Sequence, residues 1–291
     1  MPATTTSYEL PDGRTLDLLL GGMPQGIPLL AHHGSPGDAT AWADWDDAAR
    51  NHGFRLIAMS RPGYATSSRL AGRAVVDAAA DAEAVLDMLG HETFATMGVS
   101  GGGPHALACA AGLPERCRGA ATLAGVGPFG VDDLDFLAGM GPENVAEFRA
   151  AAGGETQVRA WLTEHAKAFR HVRGFELAAA FGGLVPPVDV EILQGGYAEP
   201  MAAEIRRALA GGFDGWVDDD VAFTQPWGFD VEQIRVPVTV WQGDLDLMVP
   251  FAHGGWLVDH IPDAQAAMAP GHGHISLGVT HRDAILANLL R

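Results

Sequence analysis

Three short stretches of this chain carry side chains able to do nucleophilic chemistry. The first is Gly98-Val99-Ser100-Gly101-Gly102, which follows an apolar run from Thr93 to Met97 and precedes an alanine-rich run from Pro104 to Ala111. That context reads as strand, sharp turn and helix. Ser100 then stands at the tip of the turn, in a strained backbone conformation that lifts its hydroxyl clear of the sheet. Gly98 and Gly102 leave no Cβ where strand and helix cross, and the Gly101 N–H, at a helix N-terminus, faces a place where an oxyanion can form. G-x-S-x-G alone is a weak pattern in a chain with 38 glycines, so the flanking elements carry the argument. The second stretch is Gly243-Asp244-Leu245-Asp246-Leu247-Met248-Val249-Pro250, with two carboxylates, and the third is Pro270-Gly271-His272-Gly273-His274, with two imidazoles.

The elements that must position these groups can be taken in order. Thr4 to Leu10 and Thr15 to Leu20 flank the turn signal Pro11-Asp12-Gly13 and read as a β-hairpin at a sheet edge. Ile27 to His32 is a nearly continuous apolar run, as expected of a parallel strand buried on both faces, and it ends in the turn His32-His33-Gly34-Ser35-Pro36-Gly37. Pro36 has no N–H, so Ser35 is the nearest residue there whose amide could face an oxyanion. Arg55 to Ser60 is the next strand, followed by the turn Arg61-Pro62-Gly63-Tyr64; Val75 to Leu89 has the apolar period of an amphipathic helix, and Gly119 to Leu123 follows the serine turn as a further strand. This βαβ alternation predicts a mostly parallel sheet flanked by helices, with its turns gathered at the carboxyl edge where open α/β folds hold ligands.

From 127 to 229 the alternation stops. Helical periods appear at Glu143 to Ala152, Thr156 to Val172, Phe175 to Phe181, Asp189 to Leu193 and Met201 to Ala210. This segment holds nine of the 12 phenylalanines and reads as a helical insertion over the carboxyl edge of the sheet. Within it, His165 falls on an apolar helical face and reads as a core histidine, and the run Asp218-Asp219-Asp220 reads as a solvated loop or helix start rather than a metal site. Val236 to Gln242 and Ala264 to Ala269 resume the sheet, with helices around Ala252 to His260 and from Ile275 to Leu290. The resulting division is a core of residues 1–126 and 230–291 with an insertion of residues 127–229.

Bulk composition narrows the classes of function. The chain has 291 residues, 47% of them hydrophobic and 19% charged, which describes a globular protein with a sizeable core. Its 36 acidic and 18 basic residues leave a formal charge of −18, which argues against nucleic acid or an anionic membrane as partner. Met1 to Gly13 has no cationic start and no apolar core of a secretory signal, and Cys109 and Cys117 do not make a disulfide framework. A cytoplasmic setting, a small-molecule substrate, no cofactor and no metal are the expectations, and a homodimer is left open.

Serine, aspartate and histidine loops, in that chain order and each after a strand of one sheet, resemble the triad of the α/β-hydrolase family. The resemblance covers nearly the whole chain through His33-Gly34-Ser35-Pro36-Gly37, Arg61-Pro62-Gly63-Tyr64, Gly98-Val99-Ser100-Gly101-Gly102, Gly243-Asp244-Leu245-Asp246 with Val249-Pro250, and Gly273-His274. It implies an α/β fold with a mostly parallel central sheet and a helical cap. It also implies roles: Ser100 as nucleophile, His274 as base, Asp246 as the acid that orients the imidazole, and the amides of Ser35 and Gly101 as oxyanion hole. Asp244, two residues from Asp246, and Asp132 or Asp133, after an earlier strand, are the rival acids; His272 is the rival base. Paired imidazoles at His32, His33, His272 and His274 could suit zinc, but no acidic or cysteine ligand shares their loops.

The nucleophile type restricts the chemistry. Dehalogenases and epoxide hydrolases of this fold need a carboxylate where Ser100 stands, whereas serine suits acyl transfer. The expectation is a serine hydrolase acting on an ester, thioester or lactone bond of a small, largely apolar substrate. Aminopeptidase or carbon–carbon bond hydrolysis on the same residues, perhydrolase or haloperoxidase side activity, and a non-catalytic receptor of the same fold are the alternatives. The first would call for a cap carboxylate such as Glu143, Glu147 or Glu204 to meet a substrate amine.

Overall fold

The computed structural model describes residues 2–290. Eight strands, β1 (Thr4–Glu9), β2 (Thr15–Gly22), β3 (Ile27–His32), β4 (Phe54–Met59), β5 (Phe94–Val99), β6 (Cys117–Leu123), β7 (Val238–Gly243) and β8 (Gln265–Ala269), form one sheet in the order β1-β2-β4-β3-β5-β6-β7-β8. β2 runs antiparallel to β1 and β4, and every other pairing is parallel. The opening hairpin lies at one edge, as the turn signal predicts.

Alternation along the strands separates two cores. Leu30 and Ile57 point to a face covered by α2 (Ala78–Met88), α3 (Gly102–Gly112) and α10 (Phe251–His260), through residues such as Leu86, Leu107 and Leu257. Their neighbours Leu29, Ala31, Leu56 and Ala58 point the other way, to α1 (Asp46–Asn51) and α11 (His274–Asn288), through Ala49, Leu277 and Ile285. Because side chains alternate with period two, a strand covered on both sides is apolar at successive positions, which accounts for the buried run Leu29 to Ala31 in β3.

Strand order decides where the site lies. After β3 the chain crosses to β4 on one side and then returns to β5 on the other, so β3 has both as neighbours, with Leu29 opposite Ala95 and His32 opposite Gly98. The loops leaving β3 and β5 therefore diverge from adjacent carboxyl ends and open a crevice between them. Between β6 and β7 lie six α-helices among the described residues: α4 (Pro142–Ala152), α5 (Glu155–Arg170), α6 (Gly174–Phe181), α7 (Pro187–Ile192), α8 (Ala198–Ala208) and α9 (Asp214–Phe223). They enclose a third apolar cluster, with Leu162, Leu177, Ile205 and Trp216, that reaches the sheet side through Tyr64 and Ile275.

Two local expectations are corrected. α9 has no counterpart in the apolar periodicity because Asp218, Asp219 and Asp220 interrupt it; all three are buried rather than solvated. His165 is exposed, not core, with its ring stacked on Trp161 at 3.9 Å between centroids. None of the described helices is long and apolar enough to cross a membrane.

Candidate active site

Ser100 sits between β5 and α3 with φ of 55°. A non-glycine residue adopts that left-handed conformation only under local compulsion. The compulsion is a close crossing: a Cβ on Gly98 would fall 2.0 Å from the Gly102 carbonyl oxygen, and one on Gly102 would fall 2.2 Å from the His32 carbonyl oxygen. The glycines thus let strand, turn and helix pass at contact distance, and the serine between them is held out at the carboxyl edge.

His274 is the first residue of α11 and Asp246 lies in the loop after β7. The His274 Nδ1 lies 2.8 Å from Asp246 Oδ2. An ionised carboxylate only accepts, so Nδ1 carries the proton and Nε2 is left as the basic nitrogen. Asp246 is itself fixed: its Oδ1 accepts from the amides of Met248 at 2.8 Å and Val249 at 2.9 Å, and its Oδ2 accepts from Gln242 Nε2 at 3.3 Å. Burial by itself would lower the His274 pKa; the charge and hydrogen bond of Asp246, together with the charge of Asp189, outweigh it and hold the pKa above the ordinary 6.5.

None of the rival residues has a described hydrogen bond to Ser100, Asp246 or His274. Asp244 is exposed and accepts from the Gly271 amide at 2.7 Å. Asp133 accepts from Trp256 Nε1 and faces His260, and Asp132 is exposed. His272 packs edge-on against His281. His33 lies between the Gly34 carbonyl, 2.6 Å from its Nδ1, and the Arg61 amide, which donates to its Nε2 at 3.0 Å, so both ring nitrogens are occupied by the turn itself. His32 is fully buried, and burial pushes its pKa down to about 3.

The turn after β3 comes up against the serine. A Cβ on Gly34 would lie 3.4 Å from the Ser100 Cβ, and one on Gly101 would lie 2.6 Å from Ser35 Oγ. Ser35, Ser100 and His274 all line a cavity of about 130 Å³ whose walls include Trp42, Trp45 and Phe181. Glu204, from α8, is the one carboxylate among the described residues lining it.

The family model for the alpha/beta hydrolase fold matches residues 27–279, most of the chain. The chain belongs to the alpha/beta hydrolase fold family. It is 29% identical over 256 residues to a non-heme chloroperoxidase of Streptomyces lividans, a match that covers 87% of this chain and 84% of that one. A shorter match, 32% identical over 106 residues, covers 36% of this chain and 36% of an uncharacterized hydrolase of Bacillus subtilis. Among solved structures, an esterase from a Rhodococcus species superposes with a TM-score of 0.69 at 20% identity, covering 98% of this chain and 99% of that one, a likeness of fold.

In this alpha/beta hydrolase, the turn bearing Ser35 is braced by residues that sequence reasoning did not assign a role. Arg61 donates to the His33 carbonyl at 2.5 Å, the Gly34 carbonyl at 3.0 Å and Ser35 Oγ at 3.0 Å, so one guanidinium binds three consecutive residues. Asp219 of α9, fully buried, pairs with Arg61 Nη2 and with Arg73 Nη2, each at 2.6 Å. It also accepts from Ser35 Oγ at 2.5 Å and from Tyr64 OH at 2.8 Å. Burial would raise its pKa, but the two guanidinium charges hold the carboxyl well below the usual carboxylate range. Arg61 stands in the quoted Arg-Pro-Gly-Tyr turn, and Asp219 stands in the run read as solvated; nothing in spacing alone pairs residues so far apart.

Proposed function

We propose that this alpha/beta hydrolase is a serine hydrolase that cleaves an ester, thioester or lactone bond of a small, largely apolar substrate. Residues 1–126 and 230–291 form its catalytic core and residues 127–229 the cap over the site. The observation that carries this reading is the Asp246-to-His274 pair opening onto the same cavity as a serine held at a positive φ. Ser100 Oγ attacks the carbonyl carbon while His274 Nε2 takes its proton, and the amides of Ser35 and Gly101 hold the oxyanion. The alcohol or thiol then leaves with the proton from His274. Water, deprotonated by His274, attacks the acyl-enzyme, and the acid departs as the proton returns to Ser100. Asp246 keeps the imidazole in one tautomer and stabilises the imidazolium. The chloroperoxidase name of the Streptomyces relative fits the same chemistry: hydrogen peroxide replacing water at the second step would release a peracid and free Ser100.

Glu204 favours a narrower variant in which the substrate carries an amine. Its neighbours Asp38 and Asp44 have Arg207 and Arg282 as ion-pair partners. Burial and the charge of Asp38 push the Glu204 carboxyl well above its ordinary pKa, although the Asp38 amide donates to it and the charge of Arg207 favours it, and an ammonium group in the apolar pocket would relieve the remaining penalty. Glu143 accepts from the Gly183 amide and Glu147 from Trp216 Nε1, and neither lines the cavity.

Intact-mass analysis after incubation with a fluorophosphonate tests the central reading. One adduct per chain is expected, absent in Ser100→Ala and strongly slowed in His274→Ala. Folded wild-type protein that takes up no adduct would overturn it. Aminoacyl esters set against neutral esters test the amine variant: Glu204→Gln should raise KM for the former alone.

A further inference from the structure

α11 begins with His274, yet its N-cap position is Gly273, which has no side chain to satisfy the first amides of the helix. The Gly273 amide donates to Ser276 Oγ at 2.9 Å. The amides of Ile275 and Ser276 are met from a distant part of the chain. Asp189, on α7, accepts from the Ile275 amide through Oδ2 at 3.1 Å and from the Ser276 amide through Oδ1 at 2.9 Å. The carboxylate is fully buried and lies against Gly273, where an added Cβ would fall 2.5 Å from Asp189 Oδ2.

We propose that Asp189 is a positioning residue for His274: a carboxylate from the helices between β6 and β7 supplies the missing cap of α11 and so fixes the backbone that carries the base. A carboxylate at a helix N-terminus makes charge-assisted bonds to amides that would otherwise be buried without partners. The base is then correctly placed only while those helices are docked on the sheet, which ties closure of the site to its competence. The inference rests on the acyl-transfer reading of His274.

Charge is a second route of influence. The carboxylates acting on the His274 ring are Asp246 from the loop after β7 and Asp189 from α7; Glu204 and Tyr197 line the cavity onto which it opens, and His272 and His281 lie on its own loop and helix. Asp189 favours the imidazolium, so removing its charge lowers the proton affinity of the base.

The test is the rate of fluorophosphonate labelling at Ser100 between about pH 5 and pH 9, where an imidazole titrates. It would compare wild type, Ser100→Ala and Asp189→Asn, with near-ultraviolet circular dichroism as the check on folding. Asp189→Asn keeps one of the two acceptor oxygens but loses the charge and sets an NH2 donor against the other backbone N–H. It is expected to label about ten-fold more slowly, because the base is less firmly placed, and to show its acid-side midpoint at lower pH than wild type. A purely structural role would not move that midpoint. Folded Asp189→Asn with unchanged rate and midpoint would overturn the inference and leave the acyl-transfer reading standing. Wild type that is not labelled, or Ser100→Ala that still is, would overturn both. Should Asp189→Asn not fold, hydrogen exchange of the wild type decides: the Ile275 and Ser276 amides should be as protected as the middle of α11, and rapid exchange at these two positions would overturn the inference.

Discussion

Replacing Asp219 by alanine should be among the most damaging single changes outside Ser100, Asp246 and His274. The substitution leaves Arg61 and Arg73, with side chains 2% and 3% exposed, without the carboxylate that pairs with both, and removes the acceptor of Ser35 Oγ and Tyr64 OH. Breaking a buried ion pair by removing one partner costs about 3–5 kcal/mol. The two pairs share one carboxylate, so the costs overlap, and a loss of about 4 kcal/mol is expected. The control is Asp218→Ala, one residue away on the same helix. Its partner Arg69 keeps a side-chain exposure of 29%, so that loss should stay near or below about 1 kcal/mol. Urea unfolding of the three proteins at neutral pH measures both. The same pair predicts an acid limb. With its folded pKa depressed, Asp219 contributes stability that is fully present above the unfolded value near 3.8 and is lost as pH falls below it through the folded value. The wild-type advantage over Asp219→Ala should therefore persist down to that pH and shrink only below it. Equal losses for Asp219→Ala and Asp218→Ala, or a loss under about 1 kcal/mol for the former, would refute the reasoning.

Three further outcomes follow from the site. Ser100→Ala should lower kcat by about 10⁴-fold or more with unfolding unchanged, and a loss of less than about ten-fold in steady-state hydrolysis would exclude Ser100 as nucleophile. Asp246→Asn should be severe, on the order of 10³–10⁴ in kcat, whereas Asp244→Asn, exposed and bonded only to the Gly271 amide in the described contacts, should be mild; reversed effects would identify the wrong acid. Glu147, raised to about 7 by burial, faces the buried carboxyl of Asp220 and accepts from Trp216 Nε1. A raised folded pKa contributes stability that is present below the unfolded value near 4.5 and lost as pH rises through about 7. Glu147→Gln should accordingly gain on wild type in thermal unfolding at about pH 9 relative to about pH 5, and a difference independent of pH would count against the raised pKa of Glu147.

Much of the architecture is written locally. The apolar run of β3, the hairpin turn at Pro11-Asp12-Gly13 and the alternation of strands with amphipathic helices each record a burial pattern within a dozen residues, and the sheet follows from them. The turn at Ser100 is legible for the same reason: the glycines that permit a close crossing are its immediate neighbours. What the sequence did not disclose is where charge would be buried. Charged residues ordinarily face water, so Asp218-Asp219-Asp220 reads as solvated, and only the fold shows three different outcomes on α9: Arg69 for Asp218, Arg61 and Arg73 for Asp219, and Glu147 for Asp220. Asp189 carries no local signal at all, because its partners are the amides of Ile275 and Ser276.

The sequence by itself thus determined the sheet, the serine turn and the loops from which an acid and a histidine project, since apolar periodicity and turn chemistry are properties of neighbouring residues. Tertiary structure decided which carboxylate meets His274, that Asp219 and Arg61 brace the turn carrying Ser35, and that Asp189 caps the helix carrying His274. A buried charge is tolerable only when a partner arrives from elsewhere in the chain, and that arrival is a property of the packed fold.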